Sequence, residues 1–191
     1  MTSPLLVAVP DSDMRDRLRP TVGDDVELLV WRPGDDSPGR PVDLPVIPYA
    51  TSYDFLHFLD PREFSLVQSQ SLGYDGAEAA PPDGIAFSNA VGAHETPTAE
   101  LAVTLVLASQ RGWPDVGRNQ AAEKWDHPAY PGLIGRSVLL IDVGGIGHEI
   151  EKRIAPFDVQ LTRVARTARA DEHGVIHSIA ELPPYSPTKT L

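Results

Sequence analysis

Gly144, Gly145 and Gly147 follow, after Asp142 and Val143, a run of four apolar residues, Val138 to Ile141. Beyond them Ile146, Ile150 and Ile154 recur at i, i+4 and i+8, the spacing of one helix face. Strand, glycine turn and helix in that order make the first half of a dinucleotide-binding βαβ unit. Its backbone N–H groups approach a pyrophosphate, and the helix dipole favours the negative charge. The fingerprint of such a unit is G-x-G-x-x-G. Gly144 and Gly147 are its second and third glycines, and Asp142 stands where the first belongs. A side chain at that turn must accept a positive φ, at a cost of about 1 kcal/mol or more. Aspartate tolerates this better than most residues, but its carboxylate repels a pyrophosphate. The plainer alternative is a strand–helix turn that packs closely and binds nothing.

The next apolar stretch, Val159–Ala165, reads as a second strand, ending Val164-Ala165-Arg166-Thr167-Ala168-Arg169. NAD-preferring sites carry an acid near this tip for the ribose hydroxyls, about 20 residues after the glycines. Here there are two arginines, Arg166 and Arg169. Guanidinium groups suit a 2′-phosphate by charge and forked hydrogen bonding, so NADP fits better than NAD. Against this, arginines are ordinary surface residues. His173-x-x-x-His177 has a ligand-like spacing, but it surrounds Gly174 in a turn and has no partner motif, so no metal is expected. The chain has no cysteine, which excludes disulfides, thiolate zinc sites and a cysteine nucleophile.

Behind these groups stands a chain of 191 residues, enough for one ordinary domain or two small ones. At 41% apolar and 23% charged it has the composition of a globular protein. A net charge of −11 argues against nucleic-acid and anionic-membrane partners, which need a basic surface. The only early apolar run, Leu5–Val9, is too short for a signal peptide, and no segment approaches a membrane span of about 20 residues. The cytoplasm is the expected compartment.

Pro4–Val9, Val26–Trp31, Leu44–Pro48, Ser65–Ser69 and Ile85–Ser88 read as five short strands. Asp11 caps a helix that Pro20 stops, and Thr51 caps another whose apolar face is Phe55, Phe58 and Leu59. A further short helix ends at Pro81-Pro82. The alternation predicts a parallel α/β sheet covered on both faces. Thr98–Arg111 reads as a long helix, apolar nearly all round and therefore buried between domains or subunits. Gly112–Gly135, with Trp113, Trp125 and Tyr130, reads as an irregular arm.

Four features in this order and spacing resemble the D-isomer-specific 2-hydroxyacid dehydrogenases. They are Gln70-Ser71-Leu72-Gly73-Tyr74-Asp75-Gly76, Asn89-Ala90-Val91-Gly92 followed by Thr98-Ala99-Glu100, the buried-type helix, and Gly144–Gly147. The resemblance runs from about Leu5 to Leu182. It implies a flavodoxin-like substrate domain over 1–92 and a linking, dimerising helix and arm over 93–135. An incomplete Rossmann, NAD(P)-binding domain would follow over 136–183. The activity implied is NAD(P)-dependent interconversion of 2-keto and 2-hydroxy acids, in a possible homodimer. Backbone N–H groups at Leu72 and Gly73 would hold the substrate carboxylate, though an ordinary strand-to-helix turn is the plain alternative. Thr98 would lie near the nicotinamide, unless it is merely a hydroxyl favoured at a helix start. Gly144, Gly145, Ile146, Gly147, Arg166 and Arg169 would hold the cofactor, NADP in preference to NAD.

The chain also departs from the pattern. The family's substrate-binding arginine, its glutamate and its histidine acid/base lie beyond the strand ending at Ala165. None of His57, His94, His127, His148, His173 or His177 sits in the matching context. A carbonyl receiving hydride needs a proton donor tuned near neutrality, usually histidine held by a carboxylate. No catalytic residue is assigned, and little or no turnover is expected. After Glu181-Leu182-Pro183 the proline-broken Pro184–Leu191 shares nothing with the family and reads as a premature end. Only Rossmann strands 1 and 2 are then expected, both with exposed edges. A non-catalytic dimerisation or binding remnant is the second reading. A flavodoxin-like receiver or flavin protein is the third; it lacks an acidic pocket or phosphate loop after the first strand, where Pro10-Asp11-Ser12-Asp13 offers only a helix cap.

Overall fold

The computed structural model describes residues 3–77, 81–126 and 128–182. It divides into two compact units, Met1–Ala93 and His94–Leu191.

In the first unit the apolar runs become β1 (Leu5–Val9), β2 (Val26–Val30), β3 (Leu44–Pro45), β4 (Leu66–Gln68) and β5 (Ala86–Ser88). All pair in parallel, as β2-β1-β3 and β4-β5. Isolated parallel bridges, Val42 to Phe64 and Val46 to Gln68, join β3's segment to β4's. The resulting order, 2-1-3-4-5, is that of a flavodoxin-like sheet. Prolines shorten β3 to two residues, because proline cannot donate to a ladder. The core gathers Leu6, Ala8, Trp31, Val42, Ile47, Leu56, Phe64 and Val67. Trp31 and Phe64 stack with ring centroids 5.0 Å apart.

The helical cover differs from expectation. Asp11 caps α1 (Ser12–Leu18) by accepting the Met14 N–H, as the sequence indicates, yet α1 buries no residue. The helix expected after Thr51 is a 3₁₀ turn over Asp54–Phe58 with no side-chain cap. It buries Leu56 and leaves Phe58 87% exposed, because at three residues per turn the inward position is not the one an α-helix would select. Asp75–Ala77 form a turn, and the rest of the short helix expected before Pro81 falls on residues 78–80, outside the described residues.

The second unit begins with α2 (Glu95–Gln110), followed by α3 (Trp113–Ala121). α3 corrects the irregular arm. Gly112 is in the left-handed region at φ 60 and Pro114 sits in the first turn, a helix stop followed at once by a helix start. α2 is also less buried than its composition implies. Only Ala99 and Val103 are enclosed, while Leu101 and Leu105 are each 60% exposed.

Then come β6 (Ser137–Ile141), α4 (Gly145–Ile154), β7 (Gln160–Ala165), β8 (Arg169–Asp171) and β9 (Gly174–Ser178). The sheet order is β6-β7-β9-β8. β6, β7 and β9 are parallel, and β8 is antiparallel to β9. The second strand therefore has the neighbour it was expected to lack: β9 takes that side. The hairpin was hidden because β8 is polar and β9 is short and only partly apolar. β6 keeps one free edge among the described residues, and its Leu139 and Ile141 are about half exposed. A continuous apolar run reads as a strand buried on both faces, yet in β6 only Leu140 is enclosed. Arg163 ties the layers together. Its guanidinium, 5% exposed, grips Asp171 of β8 in a forked pair and lies 3.4 Å from Glu151 of α4. That contact holds the Asp171 carboxyl well below the usual carboxylate range. The tail 184–191 lies outside the described residues.

Candidate functional site

The second unit's site is the junction of β6 and α4. The β6 chain leaves the sheet with the Asp142 N–H bonded to the Val164 carbonyl, 2.8 Å. Asp142 then turns through φ 76, the left-handed conformation that a glycine would adopt freely. A Cβ on Gly147 would run into the carbonyl oxygen of Asp142. Position 147 must therefore be glycine for the helix to start this close to the strand. Gly144 is the N-cap of α4 and supplies no side-chain bond to it. The first N–H groups of the helix, from Gly145, Ile146 and Gly147, are thus left with the dipole's positive end.

Two carboxylates border this turn. Asp142 Oδ1 lies 3.6 Å from where a Cβ of Gly144 would be. Glu95, the first residue of α2, packs on Gly145. A Cβ there would sit 2.9 Å from its Cγ and 3.1 Å from its Oε1. The Glu95 Oε2 accepts the His94 N–H at 3.0 Å. A cation also reaches the turn, since Arg169 Nη2 donates to the Val143 carbonyl at 3.0 Å and Nη1 to the Thr167 carbonyl at 3.4 Å. Arg166 is exposed at the end of β7, and among the described residues its guanidinium has no hydrogen bond or ion pair. The two arginines thus have separate places: one braces the turn, the other is free. Thr98 is exposed on the first turns of α2, and its hydroxyl donates to the His94 carbonyl at 2.7 Å.

The first unit has a second backbone site, the segment from Ser69 to Gly73 after β4. Its carbonyls are held. Asn89 Nδ2 donates to Leu72 O at 2.9 Å, and the Tyr53 hydroxyl donates to Gly73 O at 2.8 Å. The Ala90 N–H donates to Ser71 O at 3.0 Å. The buried Ser69 Oγ accepts the Ser71 N–H at 3.0 Å. With its oxygens turned inward, the segment leaves the N–H groups of Leu72 and Gly73 without an acceptor among the described residues. Nothing stands within 4 Å of where a Gly73 Cβ would be. Two adjacent N–H groups without a protein acceptor can take a carboxylate.

Sequence reasoning missed Glu95 and Tyr53. Glu95 had a signal as an acid three residues before the start read for the helix; Tyr53 had none. His177 Nδ1 lies 3.1 Å from Glu181 Oε2, but both side chains are about half exposed, and Glu181 also caps the 3₁₀ turn over Ile179–Glu181. His173 sits in the β8–β9 turn and His127 lies outside the described residues. Among the described residues no group of three or more histidine or acidic side chains is placed to hold a metal, and no helix is long and apolar enough to cross a membrane.

A parallel sheet opening through a glycine turn onto an uncapped helix is the backbone arrangement of dinucleotide-binding α/β folds. Residues 103–186 match the family model described as D-isomer specific 2-hydroxyacid dehydrogenase, NAD binding domain. The chain is 29% identical over 104 residues to a D-3-phosphoglycerate dehydrogenase of Archaeoglobus fulgidus, covering 52% of this chain and 20% of that protein. It is 30% identical over 104 residues to a hydroxypyruvate reductase of Thermotoga maritima, covering 52% of this chain and 34% of the other. A crystal structure of a D-isomer specific 2-hydroxyacid dehydrogenase family protein from Aeromonas salmonicida superposes over 94% of this chain and 59% of that one. Its TM-score is 0.73 at 20% identity. An NADPH-dependent glyoxylate/hydroxypyruvate reductase of Sinorhizobium meliloti, solved with NADP and sulfate, gives 0.69 at 16% identity, over 93% of this chain and 56% of the other. Residues 103–186 are thus similar to the NAD binding domain of the D-isomer specific 2-hydroxyacid dehydrogenases, and the chain spans from a fifth to about three fifths of the length of these relatives.

Proposed function

We propose that this chain carries the cofactor turn and the substrate-carboxylate loop of an NAD(P)-dependent 2-hydroxyacid dehydrogenase. The observation that carries the reading is the uncapped start of α4, brought against β6 by Gly147 and led into by a residue already at φ 76. The backbone fits a pyrophosphate: Gly144, Gly145, Ile146 and Gly147 present the N–H groups, and Arg169 steadies the turn by its carbonyl. Arg166, exposed and unpaired, is the group assigned to a 2′-phosphate, which favours NADP over NAD. Thr98 is assigned to the nicotinamide side. The N–H pair of Leu72 and Gly73 is assigned to the carboxylate of a 2-keto or 2-hydroxy acid. When bound, the cofactor supplies the hydride. None of the chain's histidines sits in the sequence context of the family's acid/base histidine, so turnover by this chain is expected to be very low or absent. A cytoplasmic location goes with the same proposal.

The test is a thermal melt of the purified chain with NADPH, with NADH and without either. A ligand that binds only the folded state raises the midpoint. NADPH should raise it more than NADH, and R166A should erase the difference. A midpoint unmoved by both cofactors overturns the reading. Oxidation of NADPH by glyoxylate or hydroxypyruvate above the buffer rate overturns the expected lack of turnover.

A second reading, a dimerisation module, is favoured by the apolar face of α2. Leu101 and Leu105 are exposed one turn apart. A second copy covering them should give a defined dimer in analytical ultracentrifugation; a monomer at high micromolar concentration rejects it.

A further inference from the structure

We propose that Glu95 is an internal anion at the head of α4 that sets how tightly the glycine turn holds a cofactor pyrophosphate. The proposal rests on the cofactor reading above and concerns one further residue at that site. Gly145 leaves a hole where a side chain at the second turn position would stand, and Glu95 fills it, with its Cγ and Oε1 about 3 Å from the missing Cβ. The side chain is fixed there. It is half-buried, and its other oxygen accepts the N–H of His94, so one carboxylate serves the starts of both α2 and α4. Asp142 brings a second carboxylate over Gly144.

An acid beside a helix start stabilises the helix by meeting its dipole. The same acid opposes a phosphate approaching the same N–H groups. Glu95 therefore acts in opposite senses on the empty and the loaded turn. A purely structural residue would lower both stability and affinity when removed. Removing the Glu95 charge should lower stability and raise affinity. Its effect should also depend on salt, because mobile ions screen charges over about 10 Å at 0.1 M and about 3 Å at 1 M ionic strength.

The experiment titrates NADPH into the full chain, E95Q, E95A and D142G at low and at 1 M salt, alongside ligand-free melts. Adenosine 2′-monophosphate, which has no pyrophosphate, serves as the control probe. E95Q should bind NADPH roughly threefold to tenfold more tightly than the unmodified chain at low salt, with the gain shrinking at 1 M. It should bind the control probe equally and melt slightly lower without ligand. E95A should show the same gain unless loss of the packed stem disturbs the turn, and E95Q, which keeps that stem, then decides. Equal NADPH affinity for the unmodified chain and E95Q overturns the role of Glu95 and leaves the cofactor reading intact. Failure of all four proteins to bind NADPH overturns both.

Discussion

Two segments of this chain offer backbone N–H groups to an anion, and they are built on opposite principles. At Leu72–Gly73 the polar contacts that fix the loop come from neutral groups: Tyr53, Ser69, Asn89 and the backbone. At Gly144–Gly147 the neighbours are charged: Asp142 and Glu95 against the turn, Arg169 behind it. The neutral loop is organised through the carbonyls of Ser71, Leu72 and Gly73, which are taken up by protein donors, and this leaves the N–H groups of Leu72 and Gly73 without a protein acceptor among the described residues. The charged turn is organised by helix geometry, and its acids answer the helix dipole before any ligand arrives. Preorganised N–H groups are thus not equivalent sites; the charge held around them decides what they can hold.

The comparison can be broken most forcefully at its supports. Leu56→Ala, at a fully buried position under the first unit's sheet, should cost about 3 kcal/mol by transfer and cavity terms, read by urea denaturation. In the second unit, Arg163→Ala leaves Glu151 and Asp171 without their cation and should lower the melting midpoint by roughly 10 °C. The pH dependence follows from sign. Asp171 is depressed in the folded state, so its contribution is present above the unfolded carboxylate range and is lost as pH falls through the folded value. The unmodified chain should lose stability steeply in acid, and the variant should show a shallower slope there.

At the sites themselves the effects are smaller and opposite in kind. D142G removes a carboxylate and a strained side chain together, and should tighten NADPH binding by about tenfold, which is about 1.4 kcal/mol. N89A frees the Leu72 carbonyl, worth about 1 kcal/mol of order in the loop, and should weaken binding of a small carboxylate several-fold without touching NADPH. Titration calorimetry with each ligand on each variant separates them. If N89A and D142G shift the same ligand, the two segments are one coupled site, and the contrast drawn here collapses.

The sequence made some of this legible and hid the rest for physical reasons. β1, β2, β6, α4 and β7 were plain because their apolar residues follow one period and their ends carry proline, glycine or a capping acid. The positive φ expected at residue 142 follows from the fingerprint and is what the backbone adopts. α3 was hidden because the Pro114 that marks its start also looks like a break. The β8–β9 hairpin was hidden because its stability comes from a buried Arg163, a residue that composition counts as surface. Glu95 was hidden because its importance lies in the missing side chain of Gly145, fifty residues along the chain, and no local window contains both.

The backbone at residue 142 has one more consequence. Because Asp142 already holds the φ that glycine would take, replacing it by glycine asks nothing of the chain's path. Gly147 is different, since any side chain there collides with a carbonyl. In codons, aspartate and glycine differ by a single middle base. The complete fingerprint is therefore one point mutation away, on a backbone that already follows the path glycine would take.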